Sequence, residues 1–369
     1  MKKMFTEARR PGSHGRARVA TETLIMVFCL IALAAPPETQ GQKKVCPPVR
    51  LEGPLPIVLS GKMGFIDHTG RVLIEPRFEV REAIEDVSVF SEGRALVRRG
   101  DQKSFIDESG VMVIPQSFED ALPFSEGMAA VKAGDRWGYV NKTGSLMVTP
   151  QFNDAGGFSE RLARVRLGDN WGYIDQAGKV VIKPQFSASG DFSEGLAHVI
   201  NGQGQVGFID KTGTLVIRPE YETPSNGFED LFRSPYRFAE GLAAVKHQGK
   251  WGFIDRSGRR VISPRFEYAT AFSDGLAAVK MGGKWGFINK AGKFVIKPAY
   301  DDVLDFCEGL APVILQGDKY GFIDERGRVI IDPKFHFVFS FSNGVALVAI
   351  DGKIGYIDKT GNYIWKPTN

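Results

Sequence analysis

KWGFIDRSG, at residues 250–258, returns at 284–292 as KWGFINKAG. A tryptophan, a glycine, an acid or its amide, and a second glycine recur at a fixed interval. An active site occurs once, whereas a building block recurs. Aligned on the first glycine of this motif, the chain reads Gly64, Ser104, Gly138, Gly172, Gly207, Gly252, Gly286, Gly321 and Gly355, with spacings of 40, 34, 34, 35, 45, 34, 35 and 34. Such a period over most of a chain is the signature of a repeat architecture.

Within one copy, the pieces FSDGLAAVK, MGGK, WGFIN, KAG and KFVIKP follow in order. LAAVK and WGFIN are short alternating runs joined by a Gly-containing turn, which predicts a β-hairpin. WGFIN and KFVIK, joined through N-K-A-G, predict a second. Each repeat is therefore expected to be a three-stranded antiparallel meander, with Pro298 closing its third strand. A lone meander cannot bury its faces, so neighbouring copies must cover one another. Two aromatic columns supply the apolar material: Phe90, Phe124, Phe158, Phe192, Phe238, Phe272, Phe306 and Phe341, and Phe78, Phe118, Phe152, Phe186, Tyr221, Phe266, Tyr300 and Phe335.

The first copy (PIVLS, MGFID, RVLIEP) and the last (ALVAI, IGYID, NYIWK) both hold three complete strands. No orphan strand is left for the chain ends to share, as many propellers do. The expected fold is all-β: an open superhelical β-solenoid of about nine meanders, with a closed propeller-like ring as the alternative.

Of the 47 basic and 43 acidic residues, six and two lie in residues 1–34, and the rest balance at 41 of each. A nucleic-acid binder needs a basic excess to neutralise phosphates, and this body has none. Residues 1–34 read as a signal peptide. A basic stretch leads into the twelve apolar residues Leu24–Ala35, with Ala32-Leu33-Ala34 fitting a cleavage site. Twelve residues are too few to span a bilayer. The expected organisation is a signal peptide over 1–34, a linker over 35–56 and the array over 57–367. The mature chain, with no membrane span, is exported to the periplasm, the cell surface or the medium. Cys46 and Cys307, with Cys29 in the leader, make neither a disulfide framework nor zinc spacing, and Cys307 reads as a small packed thiol.

KWGFIDRSGRRVISPRF and FSEGLAHV resemble the WG, or KWG, repeats of bacterial proteins, over about residues 57–367. The resemblance implies a strand-rich array, often exported, that serves in interaction. Met63, Val206, Tyr320 and Ile354 stand where the motif has Trp, and the second copy carries Ser104 in the motif. A function that needs the indole in every copy is thereby put in doubt.

The acid column Asp67, Asp107, Asn141, Asp175, Asp210, Asp255, Asn289, Asp324 and Asp358 precedes a glycine by three residues. A short acceptor side chain there caps a turn, and Asn replaces Asp without loss, unlike in a catalytic base. Glu92, Glu126, Glu160, Glu194, Glu240, Asp274, Glu308 and Asn343 read as turn or surface residues. Gly202, Gly204 and Gly207 match a dinucleotide fingerprint in letters, but a strand follows where a helix is needed. His68, His198, His247 and His336 fall at different repeat positions and suggest no metal site. No catalytic residue, metal or cofactor is expected. Trp137, Trp171, Trp251 and Trp285 read as inter-repeat packing or, alternatively, as an exposed ladder that stacks on sugars or peptides.

The largest departure from the period is the insertion ETPSNGFEDLFRSPYR, 222–237. Insertions in repeat proteins map to loops on one face, often the binding face. Asn226, Phe228, Phe232 and Tyr236 are its candidate contact residues. The expected function is a non-catalytic exported scaffold that binds a protein or glycan at the bacterial envelope. The alternatives are an envelope spacer without a specific ligand and an enzyme with its site in an insertion.

Overall fold

The computed structural model describes residues 51–80, 88–223, 236–315 and 317–367. Each repeat but the second forms three antiparallel strands. In the seventh these are Leu276–Met281, Lys284–Asn289 and Phe294–Tyr300, preceded by the short strand Tyr268–Ala269. The described strands form eight sheets. The first is five-stranded and joins the first two repeats; the others have three or four strands each.

The middle strand of each repeat is buried on both faces: Trp251, Gly252, Phe253 and Ile254 are all inside. The third strand leaves about half its residues in water. Each sheet is thus sandwiched between two neighbours, with the third strand on the outer edge and the short strand on the opposite one. The phenylalanine at the start of each repeat fills the space between sheets. Phe158 meets Tyr139 with ring centroids 5.0 Å apart, Phe192 meets Tyr173 at 4.9 Å, and Phe272 meets Phe253 at 4.9 Å. These edge-on aromatic pairs stabilise beyond simple burial.

The array closes on itself, and the open solenoid is overturned. The second turn glycine of each repeat lies against the third strand of the preceding one. An added Cβ would stand 3.0 Å from Ile74 at Gly110, 3.0 Å from Val148 at Gly178 and 3.2 Å from Ile262 at Gly292. The first repeat makes the same contact with the last: at Gly70 the added atom would lie 2.3 Å from the Ile364 carbonyl oxygen. Across this seam the Tyr356 hydroxyl donates to the Pro56 carbonyl at 2.7 Å. The Leu51 amide donates to Ser342 Oγ, and Asn343 Nδ2 donates to the Leu51 carbonyl, both at 3.0 Å. Leu55, Ile57 and Phe65 share one apolar cluster with Leu347, Ala349 and Tyr356. The expectation failed because it required a shared strand. Neighbours here associate by packing faces, and complete end repeats can do that as well as any other pair. The fold is a closed, propeller-like ring.

Two smaller expectations are also corrected. The third strand does not stop at Pro298 but runs on to Tyr300. Cys307 is not a free thiol: it is disulfide-bonded, and both other cysteines lie outside the described residues.

The WG glycine has a specific cause. In the sixth repeat Trp251 pairs with Phe266 and Phe253 with Ile262, so three residues bulge opposite Gly252. The bulge drives the backbone over the glycine. A Cβ there would lie 2.5 Å from the Ile262 carbonyl oxygen and 2.7 Å from Pro264 N, and only glycine accepts so close an approach. The second repeat differs in detail. Its proline sits one place early, at Pro115, and its third segment makes only isolated bridges at Met112 and Phe118. Ser104 fits there, with its hydroxyl 2.9 Å from that of Ser117.

Candidate functional site

The recurring polar columns serve the ring itself. In the FSEG segment, Ser125 and Met128 exchange both backbone hydrogen bonds across Glu126-Gly127, whose φ angles of 53° and 81° make a tight hairpin turn. Ser125 Oγ donates to the Phe158 carbonyl of the next repeat, and Ser159 Oγ to that of Phe192. The two N–H groups of the turn point away from it and need acceptors. Glu92, one repeat earlier, supplies them: its carboxylate oxygens accept from Glu126 N at 2.7 Å and Gly127 N at 2.9 Å. Glu194, Glu240, Asp274 and Glu308 do the same for Gly241, Gly275, Gly309 and Gly344. The sequence reading left this column as turn or surface acids. It is a chain of staples between repeats, and Lys142, Lys211, Lys290 and Lys359 add ion pairs to four of them.

The second acid column starts turns. Asp255 Oδ1 accepts from the Ser257 hydroxyl at 2.6 Å and from the Ser257 and Arg259 amides. These hydrogen bonds, that of the Ser257 hydroxyl foremost, hold its carboxyl down at about 2. Trp137, Trp251 and Trp285 are buried, while Trp171 is partly open beneath the Arg164 guanidinium, 5.2 Å from its ring centre.

Departures from the period are where a ring of equivalent repeats acquires a distinct surface. Of the insertion residues, Asn226, Phe228 and Phe232 lie outside the described residues. Tyr236 is buried, and its hydroxyl donates to the Glu222 carbonyl at 2.6 Å. Its ring centre lies 5.3 Å from that of Trp251 and 5.8 Å from that of His198. The Glu222 carboxylate in turn accepts from Gly249 N at 2.9 Å. Both ends of the insertion are thus anchored in the ring.

Beside that anchor lies a polar cluster that the sequence reading missed. Most repeats place a small or apolar residue at the third position of LAxV, such as Ala130, Ala244 or Ala278. The fourth places Arg164 there and the fifth His198. Each large side chain is matched by a glycine eight residues earlier. A Cβ on Gly156 would meet Arg164 Cγ at 2.8 Å, and one on Gly190 would meet the His198 ring at 2.2 Å. Arg164 Nε lies 3.0 Å from Asp191 Oδ1, and Nη1 donates to the Ser189 carbonyl at 3.0 Å. The Tyr173 hydroxyl donates to the Gly190 carbonyl at 2.7 Å.

Burial, with the positive charge of Arg164 second, depresses His198 to about 4, so the ring is neutral near pH 7. Burial also raises the Asp191 carboxyl, opposed by Arg164 and then by Arg237, the residue after Tyr236. Asp191 keeps 33% of its side-chain surface open, so the cluster is sheltered yet reachable by water. The glycine-plus-eight pairing was visible in the sequence at Gly156/Arg164 and Gly190/His198. A histidine taken alone carries no such signal; only its pairing with the glycine does. Among the described residues no cluster of His, Cys, Asp and Glu could hold a metal ion, and no helix is long and apolar enough to cross a membrane.

A closed ring of repeats whose recurrent polar groups join one repeat to the next, with one polar patch breaking the pattern, defines a repeat-propeller scaffold. The chain belongs to the WG-repeat family: the profile described as WG containing repeat matches residues 63–102, 104–137, 137–171, 171–203, 207–223, 236–251, 251–285, 285–320 and 320–353. Among solved structures, one titled as a eukaryotic initiation factor shares the fold at a TM-score of 0.58 and 12% identity, over 84% of this chain and 94% of that one. The computationally designed Ika8 protein aligns at a TM-score of 0.48 and 12% identity, over 74% and 95%. BamB from Moraxella catarrhalis aligns at 0.39 and 12%, over 78% and 98%. No curated protein matches the sequence.

Proposed function

We infer that this protein is an exported, non-catalytic scaffold of the bacterial envelope. It binds a protein or glycan partner where the 222–237 insertion meets the polar cluster of the fourth and fifth repeats. The observation that carries this reading is the meeting of two independent departures from the period: Tyr236 packs beside His198, and the charge of Arg237 acts on Asp191. Departures that meet in one sector give a ring of similar repeats a distinct face there, and loops on such a face carry binding. The apolar leader of residues 24–35 supports export, as does a disulfide at Cys307, since such bonds persist in oxidising compartments.

The test is affinity capture from envelope extract with the native chain and with a form lacking 224–235. That deletion spares the anchors Glu222 and Tyr236. A partner held by the first form and lost by the second, at equal melting temperature, is the expected result. A partner held equally by both removes the insertion from the site. Capture by neither form leaves the ring as a spacer.

A further inference from the structure

The FSEG turn has a glycine at its second central position in seven described repeats, where φ runs from 77° to 86°. The fourth repeat has Arg161 there, at φ 71°. A side chain in this left-handed region is strained, and such outliers gather at ligand sites. Arg161 is exposed and borders a pocket of about 470 Å³. Leu162 and Ala177 give the pocket apolar wall, while Glu160, Asp175 and Lys211 give it charge.

Lys211 is already committed, its Nζ lying 2.8 Å from Glu160 Oε2. The Arg161 backbone is committed as well, its N–H donating to Glu126 Oε2 at 2.7 Å. The Arg161 guanidinium makes no hydrogen bond or ion pair among the described residues. It is the uncommitted cation of the pocket.

We propose that this pocket binds the carboxylate of a small ligand, a peptide chain end or an organic acid up to about dipeptide size, with Arg161 as the anion-binding residue. A guanidinium fork matches a carboxylate through two parallel N–H···O bonds. A dianion such as phosphate is disfavoured because Glu160 and Asp175 stand beside it. Leu162 and Ala177 suit the apolar part of the ligand. The pocket contains no insertion residue, so this inference stands or falls apart from the proposed partner site.

The experiment is calorimetric titration of the full chain with N-acetyl-alanyl-leucine, as the free acid and as the C-terminal amide. It is repeated with Arg161→Gly, which restores the turn of the other repeats. The expected result is saturable binding of the acid, weakened about tenfold or more both for the amide and in Arg161→Gly. Arg161→Gly should also melt a few degrees higher, since it relieves the strained turn. No saturable binding of the acid, equal binding of the amide, or undiminished binding by Arg161→Gly would each overturn the proposal.

Discussion

At Gly252 a single added methyl would stand against the Ile262 carbonyl and the Pro264 nitrogen. Gly252→Ala should therefore cost about 1–3 kcal/mol, the usual toll of overpacking. Ala at Ser104, where a Cβ is already accommodated, should cost less; urea unfolding of both variants compares them. The WG pair was legible as a repeat mark, and a close backbone approach was legible at its glycine. That the approaching backbone is the bulge of the same repeat was not, because the bulge appears only once the strands are paired. His198 makes a second prediction at this scale. Its folded pKa of about 4 lies below the ordinary 6.5. Its contribution is complete above about pH 6.5 and is lost as pH falls through 4. The unfolding free energy of the native chain should therefore fall between pH 6.5 and 4 more steeply than that of His198→Gln. Parallel curves would remove the histidine from the buried cluster.

Between elements, the FSEG turn does four jobs with four residues. The phenylalanine fills the space between sheets, the serine reaches the next carbonyl, the acid satisfies the next turn and the glycine makes the bend. Phe192 is 2% exposed and packs on Tyr173. Phe192→Ala should cost about 3–5 kcal/mol, and an unchanged melting curve would refute its placement. Glu240 accepts from Gly275 N at 3.1 Å and meets Lys290 at 3.0 Å. Glu240→Ala should cost about 1–3 kcal/mol by leaving that turn N–H without its acceptor. Glu240→Gln keeps an acceptor oxygen and should cost less, which denaturant unfolding of the pair can resolve. Strands, hairpins and aromatic columns were all legible from period and turn chemistry. The acid staples were not, since the partner of Glu92 lies 34 residues away at Glu126, in a copy that looks the same as its own.

For the whole molecule, closure was the feature the sequence could not decide. A translational repeat states what each copy looks like and leaves unstated the angle between copies. Similar contacts from copy to copy build a stack or a ring according to that angle. Closure is instead recorded in a few residues at the ends: Leu51, Pro56, Gly70, Ser342, Asn343, Tyr356 and Ile364. Tyr356→Phe should cost about 1 kcal/mol through the lost bond to Pro56.

The most direct test of the closed ring is a distance between its first and last repeats. Donor and acceptor dyes, carried on unnatural amino acids at the exposed positions Lys62 and Lys353, would report it by energy transfer. A closed ring makes these repeats neighbours and predicts a backbone separation of roughly 10 Å, about one inter-sheet spacing. A separation near about 80 Å, eight sheet-to-sheet steps of about 10 Å, would mean an open stack and contradict the account.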